Sequence, residues 1–117
     1  MTRSEPAMLM TVSYDESWTV RLRGEVDAGS RAQLRSLAEL LRSGGHPVDF
    51  DLGRVNFVDR AGWAAICAAA DTVREVGTEA RVVNPSRAVK RLTDLLSAAH
   101  PSRGYHKRVV PHLAPVA

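Results

Sequence analysis

The sequence lacks the features that mark exported, membrane-spanning or disulfide-bonded proteins. Its one cysteine, Cys67, cannot form an internal disulfide, which is typical of a reducing cytosol. No apolar run approaches the roughly 20 residues that a helix needs to span a bilayer. The opening stretch MTRSEPAMLM has neither a long apolar core nor a small-residue cleavage pattern, so we expect no signal peptide and a cytoplasmic location. Cys67 lies in AAICAAA, a context that favours a small buried apolar residue over a nucleophile.

The greater part of the chain also lacks an excess of either charge. The sequence has 16 Lys+Arg and 13 Asp+Glu, and the excess of three basic residues falls entirely within 99–117. That stretch also holds three of the six prolines, which disfavour regular helix. We expect 99–117 to be a flexible basic tail that follows one domain at 8–98. Because the domain itself is balanced in charge, it is not expected to bind nucleic acid.

Catalytic and metal-binding constellations are missing as well. There is no glycine-rich phosphate loop with its lysine, no pair of helical histidines with a glutamate, and no serine in a G-x-S-x-G turn. Asp49, Asp51 and Asp59 lie near one strand, and the first two share a face of it. Such acids cap turns and helices more often than they bind magnesium, and the histidines of the tail lack acidic or thiolate co-ligands. We therefore expect no cofactor, no metal and no enzymatic activity.

Apolar periodicity predicts a single α/β domain in the order β-β-α-β-α-β-α. Apolar or alternating segments predict strands at 8–14, 18–24, 48–59 and 79–84. Apolar stripes predict a helix after Asp27 and Ser30, a second over about 61–76 and a third over 85–99. The first two strands can pair as a hairpin, whereas helical crossovers join the others, so the sheet should be mixed, with helices packed against it.

Four stretches carry a family resemblance in this order and spacing. They are LRGEVDAGSRAQL, VDFDLGRVNFVD, DRAGWAAICAAADTVREVG and ARVVNPSRAVKRLTDLL, and they cover roughly residues 8–98. Together they resemble the STAS domain family, the fold of bacterial anti-sigma factor antagonists. The resemblance implies a non-catalytic protein-binding module that regulates transcription. In such antagonists the partner is an anti-sigma factor that is also a serine kinase, and phosphorylation of a serine in an Asp-Ser-Ser/Thr-Gly turn breaks the complex.

The corresponding turn here is Asp59-Arg60-Ala61-Gly62, followed by Trp63. The resemblance places Arg60 at the first serine and Ala61 at the phosphorylated one, and alanine has no hydroxyl to accept a phosphate. Ala61 either holds the domain in its binding-competent form, or the turn has drifted towards another partner, or the hydroxyl is a neutral loss. We expect Asp59, Arg60, Ala61, Gly62 and Trp63 to form the partner-binding site, and no phosphorylation at Ala61.

The roles of individual residues and the identity of the partner leave several alternatives. Trp63 either packs at the edge of the core or is an exposed aromatic anchor of the interface. Gly62 is expected where a side chain would meet a partner rather than the core. The partner itself is an anti-sigma factor or, in the second hypothesis, a membrane transporter ATPase of the lipid-transport type. A homodimer formed through the first strands, and an enzyme or nucleotide-binding protein of similar topology, are further alternatives.

Overall fold

A four-stranded sheet forms the centre of the structure. Its strands are β1 (Met8–Tyr14), β2 (Trp18–Val26), β3 (Val48–Val58) and β4 (Ala80–Val83), in the spatial order β1-β2-β3-β4. The helices are α1 (Arg31–Arg42), α2 (Arg60–Arg74) and α3 (Arg87–Ala99), and a short 3-10 turn, Ala28–Ser30, precedes α1. This computed structural model describes residues 7–99, so the tail expected at 99–117 lies outside the described residues except for its first residue.

The predicted element order and the mixed sheet are both confirmed. β1 pairs with β2 in antiparallel fashion, because only a short turn joins them. β2, β3 and β4 are parallel, and α1 and α2 supply the crossover connections between them. Within residues 7–99, no helix is long and apolar enough to cross a membrane.

One face of the sheet carries the hydrophobic core. Alternation along β2 and β3 buries Val20, Leu22, Phe50 and Leu52 completely. All three helices add side chains to this same cluster, among them Leu34, Ile66 and Val89. Cys67 is half-buried and packs against the cluster, in line with its expected structural role. The opposite face of the sheet is charged, and its strand residues point away from the core.

Element ends differ from the predicted ones where glycine or a cap decides them. β2 continues past Gly24, which has φ +97°, and its last residue Val26 lies opposite Val58 of β3. The sequence pattern predicts that the strand ends at Gly24, but parallel pairing with β3 extends it to Val26. The third helix begins after Ser86 rather than at residue 85, because the Ser86 hydroxyl accepts a hydrogen bond from the Val89 amide at 3.3 Å.

Candidate partner-binding site

Two loops meet at the carboxyl ends of the neighbouring parallel strands β2 and β3. Each loop begins with an aspartate that follows the last strand residue: Asp27 after Val26, and Asp59 after Val58. Asp27 caps the short 3-10 turn, where its side chain accepts a hydrogen bond from the Gly29 amide at 2.9 Å. Asp59 caps α2. In open α/β sheets this edge is where ligands and partners commonly bind, so both loops belong to the candidate site.

Asp59 fixes the start of α2 through three hydrogen bonds. Its backbone is extended, with φ −109° and ψ −176°, and its carboxylate accepts a hydrogen bond from the Gly62 amide at 2.8 Å. Its carbonyl accepts the first helical hydrogen bond, from the Trp63 amide at 2.9 Å. Its own amide donates to the Val26 carbonyl at 3.4 Å, which ties α2 to the end of β2. The carboxylate is therefore engaged in capping and is only half-exposed.

Asp59→Ala is expected to lower the free energy of unfolding by about 1 kcal/mol, because the Gly62 amide loses its acceptor. Asp59→Asn is the matched control, since it keeps a side-chain oxygen in the capping position and should lose only a fraction of that amount. Urea denaturation of the three proteins measures the difference. Equal stability of the wild type and Asp59→Ala would mean that this cap contributes nothing to the folded state.

Gly62 lies in the interior of the domain and not on the partner-facing surface that we expected from the sequence. The residue is buried, and a Cβ atom built on it would lie 2.0 Å from the Val26 carbonyl oxygen and 3.0 Å from the Asp27 amide nitrogen. The first turn of α2 thus packs backbone against backbone on the end of β2. The expectation that a side chain at residue 62 would meet a partner is wrong, because it would meet β2 of the same chain.

Trp63 is also buried rather than exposed. Only 1% of it is accessible, and it belongs to the core cluster. Its indole N–H has no hydrogen-bond partner among the described residues. Of the two roles considered for Trp63, the structure shows packing beneath the turn. The expectation that Trp63 belongs to the partner-binding surface is therefore wrong, because the side chain is buried in the core. The large indole ring fills the space between the turn and the core.

The part of the turn that reaches solvent is Arg60 and Ala61. Both are exposed, and Arg60 makes no ion pair with any residue of 7–99. Ala64, one turn further along α2, is exposed as well. The amides of Arg60 and Ala61 have no acceptor inside the helix, because the first amides of a helix have no preceding turn to donate to, so partial positive charge collects here. We call the exposed residues Arg60, Ala61 and Ala64 the turn surface.

Phe57 is a candidate contact residue that the sequence did not single out. It lies at the same end of the sheet as the turn, opposite Glu25 of β2, and is 48% exposed. Simple alternation along β3 fails here, because Asn56 and Phe57 are both exposed between the buried residues Val55 and Val58. The glycine interruption at Gly53 was the only signal in the sequence that the alternation would change.

The three carboxylates considered for magnesium each bind different groups of the chain in the structure. Asp49 accepts two hydrogen bonds from Arg81, at 3.1 and 3.2 Å, and these bonds raise the pKa of the Arg81 guanidinium. Asp51 lies 3.6 Å from the Arg21 guanidinium and accepts from the Asn84 amide at 3.0 Å. Asp59 caps α2 instead. Within residues 7–99, no group of three or more His, Cys, Asp or Glu side chains could hold a metal ion.

Known structures share this fold. The anti-sigma factor antagonist SpoIIAA in its unphosphorylated form superposes with a TM-score of 0.64 at 18% identity, over 95% of this chain and 89% of that one. An anti-sigma factor antagonist from Mycobacterium paratuberculosis gives 0.64 at 19% identity, over 86% of both chains. The murine anion transporter Slc26a9 gives 0.59 at 20% identity, over 86% of this chain and 16% of the transporter. No curated protein sequence matches the chain significantly.

These superpositions establish the fold of the chain. Sequence identities below 25% do not establish more than the fold. The sequence comparison goes further. The family model of the STAS domain matches residues 8–104, which is most of the 117-residue chain and includes every strand and helix described above. The protein is therefore a member of the STAS domain family.

Proposed function

We propose that this protein is a cytoplasmic, non-catalytic antagonist of an anti-sigma factor that binds its partner through the turn surface and has no phosphorylation switch there. The observation that carries the proposal is the position of Ala61, which is exposed in the first turn of α2. The resemblance described above aligns this residue with the phosphorylated serine of antagonists. Two anti-sigma factor antagonists share this fold over most of both chains.

The local geometry supports a turn surface that binds its partner without being released by phosphorylation. A phosphate on residue 61 would add nearly two negative charges beside the amides of the first turn and beside Asp59. The Ala61 side chain is small and uncharged, while the neighbouring Arg60, which pairs with no acid of residues 7–99, offers a cation to the partner. A partner with a carboxylate facing Arg60 and a flat apolar surface facing Ala61 and Ala64 would be complementary to it.

Capture of the partner tests the proposal. The tagged full-length chain is used to bind proteins from an extract of its source cells, and mass spectrometry identifies what is retained. We expect an anti-sigma factor with a kinase-like domain, retained by the wild type and lost with Ala61→Asp. The matched control is Ser36→Asp, which adds the same charge at an exposed position of α1 and should retain the partner. Retention of a transporter ATPase would favour the transporter-subunit hypothesis instead.

A further inference from the structure

The strand β1 lies at one edge of the sheet, and no strand within residues 7–99 pairs with its outer side. Such an edge can pair with a strand of another chain unless a charge, a proline or a bulge blocks it. β1, with the sequence MLMTVSY, has no charged residue and no proline, and its pairing with β2 contains no bulge. The other three strands all contain charged residues. The outer edge of β1 is therefore open to pairing.

β1 also exposes apolar side chains on the face of the sheet that holds the core. Val12 is 42% exposed and Tyr14 is 49% exposed, although Val12 lies opposite the fully buried Val20 of β2. Met8, at the other end of the strand, is buried. The helices thus cover the beginning of β1 and leave the core-side face of its last residues open to solvent.

The end of α1 continues this apolar surface. The Tyr14 ring lies 4.7 Å from the Trp18 ring and 5.3 Å from the ring of His46, which follows α1, measured between ring centroids. Arg42 forms an ion pair at the end of α2, and Leu40 lies on the other side of α1, since two residues turn the helix by more than half a revolution. Leu40 is 71% exposed. We call the outer edge of β1, with the side chains of Val12, Tyr14 and Leu40, the edge surface.

A second copy of β1 is complementary to this edge. Antiparallel pairing about a two-fold axis at Thr11 matches all seven residues of β1 with those of its copy. Met10 of each copy then lies opposite Val12 of the other on the core side, and Leu9 lies opposite Ser13 on the charged side. Only Thr11 meets its own copy, and pairs of threonines across neighbouring strands are favourable. Because β1 has no charged residue, no like charges oppose each other along the two-fold pairing.

We propose that the protein forms a homodimer in which β1 pairs with β1 of a second copy, so that the two sheets join into one. A strand of seven residues is only about 23 Å long, whereas a stable interface buries about 800 Å² on each partner. The exposed side chains of the edge surface supply the additional area. Their removal from water adds a hydrophobic contribution to the hydrogen bonds between the two strands.

The homodimer leaves the turn surface of each copy free. Arg60, Ala61 and Ala64 belong to α2 and not to β1 or α1. The two-fold axis reverses the direction of the strands in the second copy, so the two turn surfaces lie at opposite ends of the joined sheet. Dimer formation therefore does not rest on the proposed binding of an anti-sigma factor, and the two can be tested separately.

Sedimentation equilibrium of the full-length chain over a series of concentrations tests the proposal. We expect the mass of the wild type to rise from that of one chain towards that of two. Thr11→Lys and Thr11→Glu each place like charges opposite one another at the two-fold axis, and each should raise the dissociation constant by a factor of about ten or more. The control Asn56→Lys adds a charge at an exposed position of β3, which β2 separates from β1, and should dimerise like the wild type.

A mixture of the two charged variants tests the two-fold register. The introduced lysine of one chain would then lie opposite the introduced glutamate of the other, and opposite charges across neighbouring strands are favourable. The mixture should therefore form a dimer of two different chains, although each variant alone dimerises poorly. Restored pairing would also show that both variants are folded, so that unfolding does not explain the weak dimers of the single variants.

Four results would overturn the proposal. The first is a wild type that stays monomeric up to about 1 mM. The second is dimerisation of both charged variants as tight as that of the wild type, and the third is a mixture that dimerises no better than either variant alone. The fourth is a full-length chain that stays monomeric and dimerises only after removal of residues 100–117, because that segment would then be what covers the edge surface.

Discussion

Ala61→Asp is expected to weaken binding of the proposed partner, an anti-sigma factor, by roughly 30- to several-thousand-fold, the equivalent of about 2 to 5 kcal/mol. Ala61 is exposed at the second residue of α2, so a carboxylate there would be buried by the partner without a counter-charge evolved to receive it. Arg60 lies next to it and can compensate in part, which moves the expected loss towards the lower figure. Ala61→Ser restores the hydroxyl without adding charge, and it should bind like the wild type until a kinase acts on it.

This loss of affinity should not come from unfolding. An acidic residue in the first turn of a helix is favourable, by about 0.3 to 1 kcal/mol, because it interacts with the partial positive charge of the helix start. Ala61→Asp should therefore be at least as stable as the wild type in urea denaturation. Ser36→Asp, on the exposed face of α1, should leave the affinity unchanged. Equal affinities of Ala61→Asp and the wild type would show that the turn surface is not the interface.

Gly62→Ala is expected to lower the free energy of unfolding by about 3 kcal/mol, towards the upper end of the range for overpacked positions. The added Cβ would lie 2.0 Å from the Val26 carbonyl oxygen and 2.5 Å from the Val26 carbonyl carbon. These are backbone atoms of β2, and they cannot rotate away as a flexible side chain would. Relief requires α2 to move off β2, which would strain the hydrogen bond between the Asp59 amide and the Val26 carbonyl.

Gly44→Ala is the matched control for this effect. The nearest atom to a Cβ at Gly44 is the Leu41 carbonyl oxygen at 3.5 Å, an ordinary contact. We expect this variant to change stability by less than about 1 kcal/mol, with a small gain from the reduced freedom of the unfolded chain. Chemical denaturation compares both variants with the wild type. Similar stabilities of Gly62→Ala and Gly44→Ala would mean that the close contact between α2 and β2 is absent in solution.

Local sequence patterns predicted the strands and helices well, because each element carries its own periodic spacing of apolar residues. The alternation of Trp18, Val20 and Leu22 with polar residues identified β2 and its buried face, and the spacing of Leu34, Ala38 and Leu41 identified α1 and its buried stripe. Aspartate at the start of an alanine-rich helix indicated a cap, and Asp59 is one. Each of these signals spans only a few residues, so it can be recognised in the sequence without knowledge of the three-dimensional structure.

The details of the candidate site could not be predicted in this way because they depend on distant residues. The burial of Gly62 follows from its contact with Val26, which is remote in the sequence and reaches the site only because β2 continues beyond Gly24. The place of Phe57 opposite Glu25 follows from the register shift next to Gly24. A glycine in a strand indicates an irregularity, but not which residues it will bring together.

Titration of the wild type with a kinase-type anti-sigma factor, with and without magnesium-ATP, tests most directly whether the proposed antagonist lacks a switch. The account predicts the same dissociation constant under both conditions for the wild type. Ala61→Ser, measured alongside it, should match the wild type without ATP and lose affinity once ATP allows phosphorylation. A wild-type protein that is phosphorylated in the complex and loses affinity with ATP would contradict the account, because another hydroxyl would then be acting as the switch.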